Sequence, residues 1–166
     1  TVEQSSITVN ADKKFIVKDA TDITTTGDGI VNAGTVTFNA GKNINEISGD
    51  NGRLEIEGTV ENAANVTQKE VEVTSGKLTN DANRTISAQT VTNKGNAEIT
   101  NSGTINGTTI VNETNATIGN SGTITATTLT NKANATITNA SEKTITATTM
   151  TNEGKVENAG LVNAGT

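Results

Sequence analysis

TVTNKGNAEITNSGTINGT (90–108), TIVNETNATIGNSGTITAT (109–127) and TLTNKANATITNASEKTITAT (128–148) are one unit written three times, in 19, 19 and 21 residues. Each copy holds three short apolar centres flanked by polar residues, the pattern of a strand that turns one side chain in and its neighbours out. Followed outward in both directions, the centres form three series. The first is Val71, Val91, Ile110, Leu129 and Met150; the second is Val60, Leu78, Ile99, Ile118, Ile137 and Val156; the third is Val66, Ile86, Ile105, Ile124, Ile145 and Val162. From third to first the step is five residues each time. From second to third it is six or eight, and the two eight-residue cases align NDANRTISAQTV (80–91) with NASEKTITATTM (139–150), as a two-residue insertion at a corner does.

Three strands per turn of about 19 residues, with insertions confined to corners, predict an all-β fold: a parallel β-helix, or β-solenoid, with three short strands per coil of 19–21 residues. A single unit cannot bury its own Ile or Val, so stacking supplies the core and stability sums over neighbouring rungs. Asparagine gives an independent reading. Asn62, Asn80, Asn101, Asn120, Asn139 and Asn158 each lie two residues after a second-series centre, and Asn93, Asn112, Asn131 and Asn152 two after a first-series centre. At a corner the strand bonding breaks, and an inward amide can serve backbone groups above and below while stacked amides form a ladder. These ten are assigned a structural role. Gly103, Gly122 and Gly160, in the motif N-x-G, read as turn positions needing positive φ.

Residues 54–166 form the regular repeats, and residues 1–53 read as irregular β coils or a cap. Within the latter, IVNAGTV (30–36) reproduces the second-to-third spacing of six with Ile30 and Val36. NAGKNINEISGDNGRLEIEG (39–58) loses the register and reads as an excursion or a hairpin. SITVN and KFIVK, near the start, are apolar enough for an early rung or a cap.

Composition narrows the chemistry. The 166 residues are 31% apolar and 1% aromatic, and they contain no His, Cys, Trp, Tyr or Pro, which excludes histidine catalysis, thiol chemistry and thiolate zinc sites. The 34 Thr and 23 Asn make up over a third of the chain, a bias that either disorder or a β-repeat array explains; the matched spacing of single Ile and Val selects the array. With a net charge of −6 and no basic run, nucleic-acid binding is not expected. No apolar stretch is long enough to insert into a membrane. The densest acids are Glu55, Glu57, Glu61, Glu70 and Glu72; alternation turns Glu55, Glu57 and Glu72 outward into solvent, and no aromatic platform for sugar accompanies them in the repeats, so no enzyme is expected. The three Asp of DATDITTTGDG (19–29) lack calcium-loop spacing, and Asp28-Gly29 reads as a turn; neither metal nor other cofactor is expected. The sequons at Asn65, Asn83 and Asn115 follow from the abundance of Asn and Thr.

Threonine forms files of its own. Thr90, Thr109, Thr128 and Thr149 precede the first-series centre, Thr92, Thr130 and Thr151 follow it with Val111 interrupting, and Thr85, Thr104, Thr123 and Thr144 make another file. Regular T-x-T files of this kind resemble the ice-binding faces of insect antifreeze β-helices, although Thr also suits any exposed β face and here occupies all three sides.

The units GTITATTLTNKANATITNASEKTITA and NAEITNSGTINGT resemble the repeats of filamentous-haemagglutinin-like and autotransporter adhesin passengers, in which N-x-G-x-I-x-A-x-x-L recurs. The likeness covers residues 54–166 well and 1–53 loosely. It implies a bacterial cell-surface or secreted structural and adhesive fibre. Its partners would be a host or neighbouring-cell surface, through a glycan or protein receptor. VNAGT (162–166) ends inside a repeat, which reads as a segment of a longer fibre or as a subunit self-associating end to end. The competing expectation is recognition of ice or a repetitive polysaccharide through the Thr files.

Overall fold

Parallel pairing between residues about one repeat apart accounts for the β structure in the computed structural model, which describes residues 2–165. The described residues form seventeen strands and one short 3-10 turn, Ala20–Asp22, and every strand pairing is parallel. The chain is a β-solenoid of about nine turns.

Each sequence series is a column of the stack. The third runs Val66, Ile86, Ile105, Ile124, Ile145 and Val162 in direct register. The second runs Val60, Leu78, Ile99, Ile118, Ile137 and Val156, and the first Val71, Val91, Ile110, Leu129 and Met150. Ile99, Ile105, Ile110, Ile118, Ile124, Leu129 and Ile137 are all buried, so the core is a central prism of aliphatic side chains, one from each column per rung. The regular strands alternate between four and nine residues, as in Glu98–Asn101 and Thr104–Asn112. The long strand carries the third and first columns together, because the five-residue step between them leaves no corner to break it.

The first rungs differ from expectation in three ways. Ile30 pairs with Ile47, which pairs with Val66, so Ile30 belongs to the third column; Val36 pairs with Leu54 and so lies in the first. The six-residue step of IVNAGTV is therefore third-to-first, lengthened by a corner at Ala33-Gly34. Residues 39–58 make no hairpin: Ala40–Asn43 pair in parallel with Thr59–Asn62, and a β-bulge falls between Phe38 and Ala40. The register is hidden in sequence because Gly41 occupies the second-column position above Val60. SITVN and KFIVK form an early rung, with Ile7 on Ile30 and Phe15 on Val36. Asp28-Gly29 lies inside strand Ile23–Asn32, where Thr26–Asp28 bulge opposite Ser5 and Gly29 takes φ 75.

Candidate functional site

The corners are closed by amides. In the second-column ladder each Asn Nδ2 donates to the Oδ1 of the next rung: Asn62 to Asn80 at 3.0 Å, Asn80 to Asn101 and Asn101 to Asn120 at 2.9 Å, Asn120 to Asn139 at 2.8 Å, and Asn139 to Asn158 at 2.9 Å. Asn43, masked in the sequence by Gly41, extends it by one rung at 3.0 Å. The first-column ladder joins Asn93, Asn112, Asn131 and Asn152 at 2.9, 2.8 and 2.7 Å. The same amides bond the corner carbonyls; Asn101 Nδ2, for example, lies 3.1 Å from Gly103 O and 3.0 Å from Thr123 O. All but Asn152 and Asn158, on the last rung, are buried. A shorter amide stack was not legible in sequence: Asn32 Nδ2 reaches Gln68 Oε1 at 2.5 Å across the rung between them, where Gly49 offers no side chain.

The N-x-G glycines have a different cause from the one expected. Gly103, Gly122 and Gly160 do not have positive φ; a Cβ on them would collide with backbone carbonyls of the preceding rung, those of Arg84 and Asp81 for Gly103. Positive φ falls instead on Asn83, Asn96, Asn115, Asn134 and Glu142, each inside a five-residue corner that begins with a ladder Asn. Two of the sequon asparagines thus serve a backbone that Asn tolerates better than most residues.

The outward faces carry the Thr files. Thr90, Thr109, Thr128 and Thr149 are register partners in successive rungs, as are Thr85, Thr104, Thr123 and Thr144. Within each long strand the two files lie on either side of Gln89, Thr108, Thr127 and Thr148, which drop out of the pairing register. At that break an axial groove of about 690 Å³ opens. One wall is Thr67, Ser87, Asn106, Thr125 and Thr146, the other is Gln89, Thr108, Thr127 and Thr148, and Gln68, Ala88, Gly107 and Ala126 form the floor.

The acids are not simply solvated. Glu55 and Glu72 project outward on adjacent rungs but are mostly covered, with 14% and 12% of their side chains exposed. Arg53 Nη2 spans them at 3.1 and 2.9 Å, Lys14 Nζ reaches Glu55 at 2.9 Å, and Lys94 pairs with Glu72. Burial pushes the Glu55 carboxyl up, but the Lys14 ammonium, the Thr37 hydroxyl and the Arg53 charge together hold it below the ordinary carboxylate range. That is opposite to the direction a general acid requires. In the calcium candidate, Asp19 caps the 3-10 turn by accepting from Thr21 N at 3.0 Å and from the Thr21 hydroxyl. No group of three potential metal ligands occurs among the described residues.

A stacked aliphatic prism with amide-laddered corners defines a parallel β-solenoid repeat protein. Comparison with family models, curated proteins and solved structures finds no match to the chain.

Proposed function

We propose that the protein is a non-catalytic structural and adhesive rod, exposed on a bacterial surface or secreted, that mediates attachment to a host or neighbouring cell through a glycan or protein receptor. The observation that carries this reading is the unbroken ladder from Asn43 to Asn158, which ties successive rungs along most of the stack. Nine rungs at about 4.8 Å each give a shaft of about 40 Å whose length scales with repeat number. Both amide ladders run in one direction along the axis, so addition of a further copy would be head to tail. Engagement of the most covered carboxylates by Arg53, Lys14 and Lys94 favours a structural over a catalytic use of that acidic cluster. The test is attachment: beads coated with the purified chain are expected to adhere to cells in competition with the free chain. Adherence no greater than that of beads carrying an unrelated β-solenoid would end the proposal.

Direct register of the Thr90, Thr109, Thr128 and Thr149 file favours a second reading, recognition of ice or a repetitive polysaccharide. Thermal hysteresis or glycan-array binding lost in the double variant Thr109→Lys, Thr128→Lys would select it.

A further inference from the structure

We propose that the groove between the two Thr files is a binding site for one extended chain of a neutral polysaccharide. The site differs from the Thr files, and the inference holds whether or not the rod mediates attachment.

The groove runs along the solenoid axis over five rungs, with a polar side chain from a wall at each rung. Its repeat is thus the rung spacing of about 4.8 Å, comparable with the advance of one pyranose unit in an extended glycan. A linear polymer with one hydroxyl-bearing ring per step can therefore meet equivalent donors and acceptors along the whole groove.

The wall groups are free to serve a ligand. The side chains of Asn106, Thr108, Thr125 and Thr127 make no hydrogen bond within the protein, whereas Thr100 and Thr138, elsewhere on the outer faces, bond Glu98 and Glu157. These groups are amides and hydroxyls, each of which both donates and accepts, as sugar hydroxyls do. The only charged lining residue is Asp50, at one end, so the site offers no cation to a uronate, sulfate or phosphate. Ala88, Gly107 and Ala126 give a shallow floor against which the C–H face of a sugar can lie.

An extended peptide fits less well. Strand addition needs an unpaired sheet edge, but here each long strand is flanked by paired strands of the rungs above and below, and only one residue per rung leaves the register at the groove. A peptide also advances about 3.3 Å per residue and falls out of step with the walls.

The experiment titrates the full chain with cellohexaose, chitohexaose and mannohexaose, and with hexagalacturonate as the anionic counterpart, by calorimetry. Saturable binding of at least one neutral hexamer with Kd below about 1 mM is expected. The double variant Thr125→Val, Thr127→Val keeps side-chain shape and β preference while removing two hydroxyls, and should weaken binding about tenfold with the melting temperature unchanged. Thr117→Val with Thr136→Val, on the second-column face, should leave affinity as it is. Failure of all three neutral hexamers to bind, tighter binding of hexagalacturonate, or loss of affinity in Thr109→Val, Thr128→Val but not in the groove variant would each overturn the proposal.

Discussion

In the rungs before residue 90, the position two residues after the first-column centre is filled by Val17, Phe38, Ile56 and Val73; from the next rung on, the same column is Asn93, Asn112, Asn131 and Asn152. The apolar half prolongs the core into the corner, and each side chain there packs by its own volume, so neighbours need not match. It accommodates rungs of uneven length: Ile7 to Ile30 is 23 residues, and Ile30 to Ile47 is 17. An amide column is less tolerant. Each Asn inside the column donates to the next and accepts from the one before, so replacing one leaves the next oxygen and the corner carbonyls it served short of a donor. The uniformity of the later repeats follows from that reciprocity. Where the columns meet, the Asn93 Oδ1 stands over Val73 and is buried without a partner.

Breaking the prism itself should have the largest effect. Ile118→Asp places an unpaired charge between two rungs and is expected to cost about 3–5 kcal/mol, whereas Thr125→Asp, on the exposed groove wall, should cost under about 1 kcal/mol. Urea denaturation followed by circular dichroism separates the two, and equal losses would refute the inward and outward assignment. The ladder comes next. Asn112→Val strands the Asn131 Oδ1 and takes the amide donor from the Ala116 and Thr136 carbonyls, while the Asn93 Nδ2 keeps the Ala97 and Thr117 carbonyls; the expected loss is about 2–4 kcal/mol. In the reverse exchange, Val73→Asn gives Asn93 Oδ1 a donor but sets its own oxygen against Ile56, so about 1–2 kcal/mol is expected. A costlier Val73→Asn than Asn112→Val would mean that the junction is not a simple switch between columns.

The later half was legible because its ladders and centres recur at fixed offsets, and the three inward columns of 54–166 follow from spacing alone. Earlier rungs hid the same columns behind chemistry that spacing does not encode. Gly41 replaces an aliphatic residue in the second column, Val17, Phe38, Ile56 and Val73 replace the first-column Asn, and the bulges at Thr26–Asp28 and beside Phe38 alter the count. The Thr files could be read as sequence repeats, but the groove between them could not. It depends on one residue per rung leaving the pairing register, and a side chain's sequence position does not show that its neighbours curve toward it.

Acid should act first on the irregular half. Glu55 and Glu61 have carboxyls held below the ordinary value, Glu55 chiefly by Lys14 and Thr37 against the effect of burial, and Glu61 by Lys42. A depressed folded-state pKa contributes stability that is complete above the unfolded value and is lost as pH falls through the folded one. Amide exchange is therefore expected to speed up in residues 14–73 as pH falls through and below the ordinary carboxylate range, ahead of rungs 104–150, within which Glu113 and Lys132 at 2.6 Å form the one ion pair described. Exchange that accelerated first in 104–150 would place the acid-sensitive contacts elsewhere.

The smallest expected change tests whether the two eight-residue corners are one structure. Asn83 and Glu142 occupy equivalent places after Asn80 and Asn139, with φ 62 and 63. A left-handed backbone disfavours Glu but is tolerated by Asn, whose short side chain can bond locally. Glu142→Asn should stabilise the protein by about 0.5–1 kcal/mol and Asn83→Glu should destabilise it by a similar amount, both read from the denaturation midpoint. Opposite shifts would tie residue choice at both corners to the backbone angle. A loss from both exchanges would assign it to neighbouring side chains instead, and the corners would then be alike in path but not in what holds them.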